Sequence, residues 1–309
     1  MNRIKSYLSL IKFSHTIFAM PFALIGFIIG VGHLSKIPNV KIHYAMIETV
    51  WQRTQVFMSH NWYLFILVIL CMIFARSAAM AFNRYLDRHF DARNARTAIR
   101  EIPAGTISAR NALAFTIISS LLFVAATYFI NKVCFYLSPV ALAVVLGYSY
   151  TKRFTPLCHL ILGLGLSLAP IGAYLAVTGQ FALLPILFSL AVIFWVSGFD
   201  IIYALQDEEF DKSQQLYSIP AWLGKGKALR VSAFLHLLSA AAVVLAGEHG
   251  NFGWLYWIGI GVFVGMLVYQ HSLVNPHDLK RVNIAFMTAN EIASVVFAIF
   301  VLADLFINS

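Results

Sequence analysis

The chain has 309 residues, 60% of them hydrophobic and 11% charged, with a mean hydropathy of +0.79 and a formal net charge of +9. So much apolar sequence excludes an ordinary soluble domain. The basic excess calls for no nucleic-acid partner, because it is distributed as membrane topology requires.

Apolar stretches long enough to cross a bilayer as helices, about 17–25 residues each, recur along the chain. Nine are read, at about 10–32, 62–84, 111–131, 133–150, 158–178, 182–204, 229–247, 252–274 and 283–307. The first follows Arg3 and Lys5 but is too long for a secretory leader and lacks a small-residue cleavage site, so it reads as a retained helix. The longest loops are about 34–61, 85–110 and 205–228, and no flexible linker separates them. Residues 1–309 are therefore expected to form one all-α transmembrane bundle of nine helices.

Basic residues orient this bundle. Arg3, Lys5 and Lys12 precede or open the first span. Arg84, Arg88, Arg93, Arg96, Arg100 and Arg110 cluster around the loop after the second. Lys152 and Arg153 follow the fourth span, Lys212, Lys225, Lys227 and Arg230 the sixth, and Lys280 and Arg281 the eighth. The opposite side has Lys36, Lys41, Arg53 and Lys132, while Arg76 sits inside the second span. The positive-inside rule places the N-terminus and the even-to-odd loops in the cytoplasm and the C-terminus on the other side. Cys71, Cys134 and Cys158 have no metal-like spacing and read as inert small hydrophobes.

Acidic residues number 13, and Asp87, Asp91, Asp200, Asp207, Glu208, Glu209 and Asp211 fall in two clusters at the cytoplasmic ends of spans two and six. Asn83, Asp87 and Asp91 are spaced one helical turn apart, so they drift only about 80° around a helix and line one face. On a continuous helix Asp200, Asp207 and Asp211 would fall within about 40° of one another, with Tyr203 and Gln206 near that face. Carboxylates beside a bilayer are costly unless paired, and carboxylates at this spacing suit a hard cation. Mg²⁺ takes one or two carboxylates and completes its shell with water and phosphate oxygens. Two facing clusters would thus grip a diphosphate through Mg²⁺, held by Asn83, Asp87, Asp91, Asp207 and Asp211.

Such a diphosphate wants cations. Arg88, Arg96 and Arg100 follow the first cluster, and the segment Tyr148-Ser149-Tyr150-Thr151-Lys152-Arg153 closes the fourth span. Topology alone also accounts for basic residues here. Pro21, Pro139 and Pro170, with Gly163, Gly165 and Gly172, are expected to kink helices or bring them close. His15 and His159 read as polar groups satisfied inside the bundle.

The segment Asn83-Arg84-Tyr85-Leu86-Asp87-Arg88-His89-Phe90-Asp91, the Asp200–Asp211 helix end and the Tyr148–Arg153 segment resemble the UbiA superfamily of intramembrane prenyltransferases. The resemblance covers nearly the whole chain. It implies a central cavity opening to the cytoplasmic side, with Asn83, Asp87, Asp91, Asp207 and Asp211 catalytic through Mg²⁺. It also implies that Arg88, Arg96, Arg100, Tyr148, Lys152, Asp200, Tyr203 and Gln206 contact the substrates, a polyprenyl diphosphate and a hydroxylated aromatic acid. The Asp200–Asp211 segment most resembles 4-hydroxybenzoate polyprenyltransferases. Two features depart from them: Glu101 follows Arg100 where proline is usual, and Ile11–Ala23 looks like relatives that prenylate a dihydroxynaphthoate for menaquinone. No residue stands out as the base that takes the ring proton. A cation-coupled transporter is the rival from another class, since intramembrane carboxylates also mark ion pathways, but such sites lie nearer the bilayer midplane.

Overall fold

The computed structural model describes residues 3–11, 19–37 and 47–308. Among them the regular elements are helices: α1 (Arg3–Leu10), α2 (Met20–His33), α3 (Val50–Arg93), α4 (Ala109–Ile130), α5 (Lys132–Thr151), α6 (Cys158–Thr178), α7 (Leu183–Ala204), α8 (Glu208–Ser213), α9 (Ile219–Leu223), α10 (Lys225–Gly250), α11 (Trp254–Leu273), α12 (Val282–Phe286) and α13 (Thr288–Ile307). Short 3₁₀ turns follow α2 at Leu34–Lys36 and α7 at Leu205–Asp207.

Eight helical segments among the described residues are long and apolar enough to cross a membrane. They are α3, α4, α5, α6, α7 with its continuation to Ser213, α10, α11, and α12 with α13. α2 is apolar but has 14 described residues, short of a full crossing. Residues 12–18 of the predicted first span, including Lys12 and His15, lie outside the described residues, as does Lys41.

The predicted loop 34–61 is corrected, because α3 begins inside it. Thr49 caps the helix by accepting from the Gln52 N–H at 3.2 Å, and Val50 and Phe57 are buried. The helix kinks at Asn61 (φ −124°, ψ 23°), immediately before the predicted second span, so a short arm leads into the long membrane segment. Arg53 in that arm donates from Nη1 to the Gly32 carbonyl and from Nε to the Ile47 carbonyl, each at 2.9 Å. It thereby joins the Ser35 hydroxyl on a carbonyl at the C-terminal end of α2, where helix carbonyls lack the next turn's N–H groups.

α2 lies between two packed groups. On one side Phe22 meets Trp195 of α7 and Phe297 of α13, with ring centroids 5.4 and 5.9 Å apart. On the other, Phe27 meets Phe57 and Phe65 of α3. Gly26 allows this: a Cβ there would stand 2.0 Å from the Pro170 carbonyl oxygen of α6. Gly163 does the same between α6 and α7, where a Cβ would come within 2.5 Å of the Ile193 oxygen. Gly165 and Gly172, singled out with it, make no such approach. Pro139 and Pro170 sit inside their helices, whereas Pro21 opens α2.

The chain ends lie at opposite ends of the bundle. Leu10 of α1 packs with Ala81, Ile107 and Ala112 near the acidic end of α3, and Ser9 donates to Glu101. Phe306 of α13 meets Trp51 at the far end of α3 (5.2 Å).

Candidate functional site

α3 does not stop at the membrane boundary expected from its apolar run. It continues unbroken from its kink to Arg93, so Asn83, Asp87 and Asp91 keep helical register and all three line one polar cavity of about 300 Å³. Facing them across the cavity are Asp200, Tyr203, Asp207 and Asp211.

The second cluster reaches that wall by a different route. The continuous helix expected from Asp200 to Asp211 is interrupted: α7 ends at Ala204, the chain makes a 3₁₀ turn through Asp207, and α8 restarts at Glu208. The 40° argument therefore fails for the observed backbone, because a 3₁₀ turn advances at three residues per turn. The carboxylates still meet the cavity.

Arg96, Arg100 and Lys152 of the cavity, and Arg153 beside it, are each paired with a cluster carboxylate. Asp87 is buried and held by Lys152 Nζ at 2.7 Å, Arg153 Nη2 at 3.0 Å and the Asn83 amide at 3.3 Å. Asp91, also buried, accepts from Arg100 Nη1 at 2.6 Å through Oδ1, while its Oδ2 is buried with no hydrogen-bond partner among the described residues. Asp207 receives a fork from Arg96, Nη2 to Oδ2 at 2.5 Å and Nε to Oδ1 at 3.2 Å, with the Asn94 amide at 3.2 Å. Arg96 also donates to the Tyr203 hydroxyl (2.9 Å) and lies over its ring. Burial opposes the charge of Arg96, but Asp207, seconded by Tyr203, outweighs it and raises the guanidinium further above its ordinary range. Asp211 accepts from the Ser218 hydroxyl at 2.9 Å. Among the described residues no three Asp, Glu, His or Cys side chains form a closed metal cage.

Asn83, Asp87, Asp91, Arg96, Arg100, Tyr148, Lys152, Asp200, Tyr203, Asp207 and Asp211 are thus brought to one cavity. Two residues expected with them are not. Arg88 stacks over the Tyr85 ring at 4.6 Å and donates to the Tyr85 carbonyl at 2.6 Å. As the neighbour of Asp87 it points about 100° away around the helix. Gln206 sits in the 3₁₀ turn and donates to the Tyr203 carbonyl at 3.1 Å.

Sequence reasoning underrated three others. Arg153, named with the segment that closes the fourth span but not among the expected substrate contacts, is on Asp87 and over the Phe90 ring. Asn94 reaches across to Asp207, and its place at the end of the first motif was the available signal. His159, read as a satisfied bundle histidine, is satisfied by Asp200 at 2.6 Å. That pairing joins two spans, and spacing within either gives no hint of it.

A second cavity of about 430 Å³ adjoins the polar one, and Arg76, Met80, Tyr148, Leu162 and Leu166 line both. Its other walls are mainly apolar side chains of α3, α4, α5 and α6, among them Val68, Phe123, Ala141 and Ala173, and it reaches Ile130 and Phe181 at the opposite end of those helices.

The model of the UbiA prenyltransferase family matches residues 56–295. A 4-hydroxybenzoate octaprenyltransferase of Cupriavidus necator is 30% identical over 77% of this chain and 83% of its own. One of Nitrosospira multiformis is 29% identical over 75% and 80%. Among solved structures, the apo structure of a UbiA homolog from Aeropyrum pernix superposes with a TM-score of 0.76, at 29% identity over 94% of this chain and 98% of that one. A UbiA homolog from Archaeoglobus fulgidus bound to GPP and Mg²⁺ gives 0.67, at 22% identity over 97% and 99%.

Proposed function

Because the chain belongs to the UbiA prenyltransferase family, we propose that it transfers a polyprenyl group from a polyprenyl diphosphate to a hydroxylated aromatic acid. The acceptor is 4-hydroxybenzoate or a close analogue, and the pathway is respiratory quinone synthesis. One observation carries this reading: two carboxylate clusters face each other across a polar cavity that continues into an apolar one of about 430 Å³. The first suits a diphosphate and the second an isoprenoid tail. The names of the Cupriavidus and Nitrosospira relatives support the acceptor. A dihydroxynaphthoate is the second reading, favoured by Glu101 after Arg100. The residues act within one domain spanning 1–309.

The donor set fits Mg²⁺. Oxygen ligands from Asn83, Asp87, Asp91, Asp207 and Asp211 would hold it, and the unpaired, buried Asp91 Oδ2 is a ready ligand. The lack of a closed cage fits as well, since diphosphate oxygens complete the shell of this cation. The bound ion supplies charge neutralisation on the leaving diphosphate as the allylic C–O bond ionises. Arg96, Arg100, Lys152 and Arg153, now paired with the carboxylates, are placed to share themselves with phosphate oxygens once cations take those carboxylates. Tyr148, Tyr203, Phe90 and Phe286 wall the reacting centre with rings that tolerate a neighbouring cation and exclude water. A cation-coupled transporter finds no support in the comparisons.

Membranes carrying the protein, given radiolabelled prenyl diphosphate and a panel of 4-hydroxybenzoate, dihydroxynaphthoates, homogentisate and a porphyrin-type alcohol, test the reading. Labelled 4-hydroxybenzoate product with diphosphate release is expected. Preference for a neutral acceptor over both acids would refute it. The site end faces the cytoplasm of the inner membrane in this proposal, so a cysteine at position 94 in a cysteine-free background should label from the cytoplasmic side. Labelling only from outside would reverse the orientation.

A further inference from the structure

The second cluster's Asp200 is paired with a histidine and with neither a lysine nor an arginine. Asp200 lines the cavity below the 3₁₀ turn, with 23% of its side-chain surface accessible, and its side-chain partner is His159 of α6. The His159 ring is buried, with Nδ1 2.6 Å from Asp200 Oδ2. Its Nε2 accepts from the backbone N–H of Ile219 at the start of α9, at 3.3 Å. A backbone N–H can only donate, so Nε2 must present its lone pair and the ring proton sits on Nδ1. The imidazole is therefore neutral, and the pair keeps the full charge of the carboxylate.

The surroundings hold this ring in place. Ser197 of α7, one turn below Asp200, shares its hydroxyl proton between the Ile193 carbonyl of its own helix at 2.6 Å and the His159 carbonyl at 3.1 Å. The close approach of α6 and α7 at Gly163 makes that bond geometrically accessible. Three elements, α6, α7 and α9, thus converge on one buried side chain, which meets the cavity beside Asp200 and the Cys158 thiol. A buried group so fully determined orients its partner.

We propose that His159 is a positioning residue for prenyl transfer. By donating Nδ1–H to Asp200 it keeps that carboxylate anionic and aimed across the cavity, as the hydrogen-bond acceptor for the hydroxyl of the aromatic substrate. Positive charge builds on the hydroxyl-bearing ring as it attacks the prenyl carbon, and an oriented carboxylate at that hydroxyl stabilises it. Asp200 and His159 thereby select hydroxylated acceptors over those without the O–H, because a site built to accept that hydrogen bond is left unpaired by the analogue. The proposal rests on the reaction assigned above.

The test compares wild type with His159→Phe, His159→Asn and Asp200→Asn. Asn keeps an N–H donor near the position of Nδ1, and Phe keeps only the ring. For each, kcat and both KM values are measured, together with the melting temperature in detergent and the preference for 4-hydroxybenzoate over 4-methoxybenzoate. His159→Phe should lower kcat/KM for the acceptor by about a hundredfold, as loss of an orienting partner does. Its prenyl-diphosphate KM should stay within about threefold of wild type, since the donor substrate is held by the other carboxylates. The preference for hydroxyl over methoxy should collapse in His159→Phe and Asp200→Asn alike. His159→Asn should regain about tenfold of the lost rate. If His159→Phe does not fold, His159→Asn and Asp200→Asn decide by the same preference ratio. The proposal is overturned if His159→Asn, with wild-type melting temperature, is as impaired as Asp200→Asn, if both KM values rise in parallel, or if the hydroxyl preference survives. A wild type that prenylates no aromatic acid overturns the assigned reaction, and this proposal with it. An active wild type whose variants keep the hydroxyl preference overturns this proposal alone.

Discussion

The two acidic clusters reach the same cavity by different means. Asn83, Asp87 and Asp91 ride one unbroken helix, and their carboxylates are buried beneath Lys152, Arg153 and Arg100. Asp200, Asp207 and Asp211 are spread over the end of α7, a 3₁₀ turn and α8, and Asp207 and Asp211 are half-buried. A regular helix fixes side chains rigidly, whereas a turn between two helices fixes them through the hydrogen bonds that bridge it. Here those bridges are the Arg96 fork and Asn94 on Asp207, and Ser218 on Asp211. The first cluster is thus a rigid wall, and the second is held largely by side chains from elsewhere.

That contrast ranks the mutational effects. Asp87→Ala should be the most damaging, because it removes a proposed metal ligand and also strands Lys152 and Arg153 in a partly buried site. It and Asp207→Ala should each cost at least about 3 kcal/mol of transition-state stabilisation, roughly a hundredfold in kcat/KM, with protein still present in the membrane. Near-wild-type turnover in either at saturating Mg²⁺ would contradict the role of that cluster.

Neutralising the cations should cost less and discriminate between substrates. Arg96→Gln, Arg100→Gln and Lys152→Gln each leave the opposing carboxylate in place. A cation that pairs with the acceptor's carboxylate should raise the acceptor KM more than the prenyl-diphosphate KM. If all three variants weaken only prenyl-diphosphate affinity, the three serve the diphosphate and the acceptor is anchored elsewhere. The smallest effect is expected at Ser218→Ala, which removes one hydrogen bond to Asp211 and should slow transfer by about threefold. An equal effect of Ser218→Ala and Asp207→Ala would mean that the second cluster acts through its turn geometry and not through its carboxylates.

The same contrast explains what could be read in advance. One-turn spacing is meaningful where the backbone is a regular helix, so the face shared by Asn83, Asp87 and Asp91 was legible in the sequence. It was not legible for Asp200 to Asp211, because nothing in the residues Leu205-Gln206-Asp207 announces a 3₁₀ turn. Apolar runs located the membrane helices to within a few residues from α4 onward. They missed the arm before Asn61, whose mixed residues carry no span-length signal, although Thr49 caps it. Arg88 was expected at the cavity with the other arginines of the first cluster, but as the neighbour of Asp87 on a helix it lies on a different face, against Tyr85. Arg153, Asn94 and His159 matter through partners on other helices, and such pairings are set by packing.

The central claim is that both clusters hold one metal–diphosphate unit. It is tested most directly by equilibrium binding of radiolabelled prenyl diphosphate to purified wild type, Asp87→Ala, Asp207→Ala and the double variant, across a Mg²⁺ titration. Groups that act as a unit are not additive, so the account predicts that binding requires Mg²⁺ and that the double variant binds about as weakly as the worse single variant. Binding that persists without a divalent cation, or losses in the two single variants that multiply in the double, would contradict it.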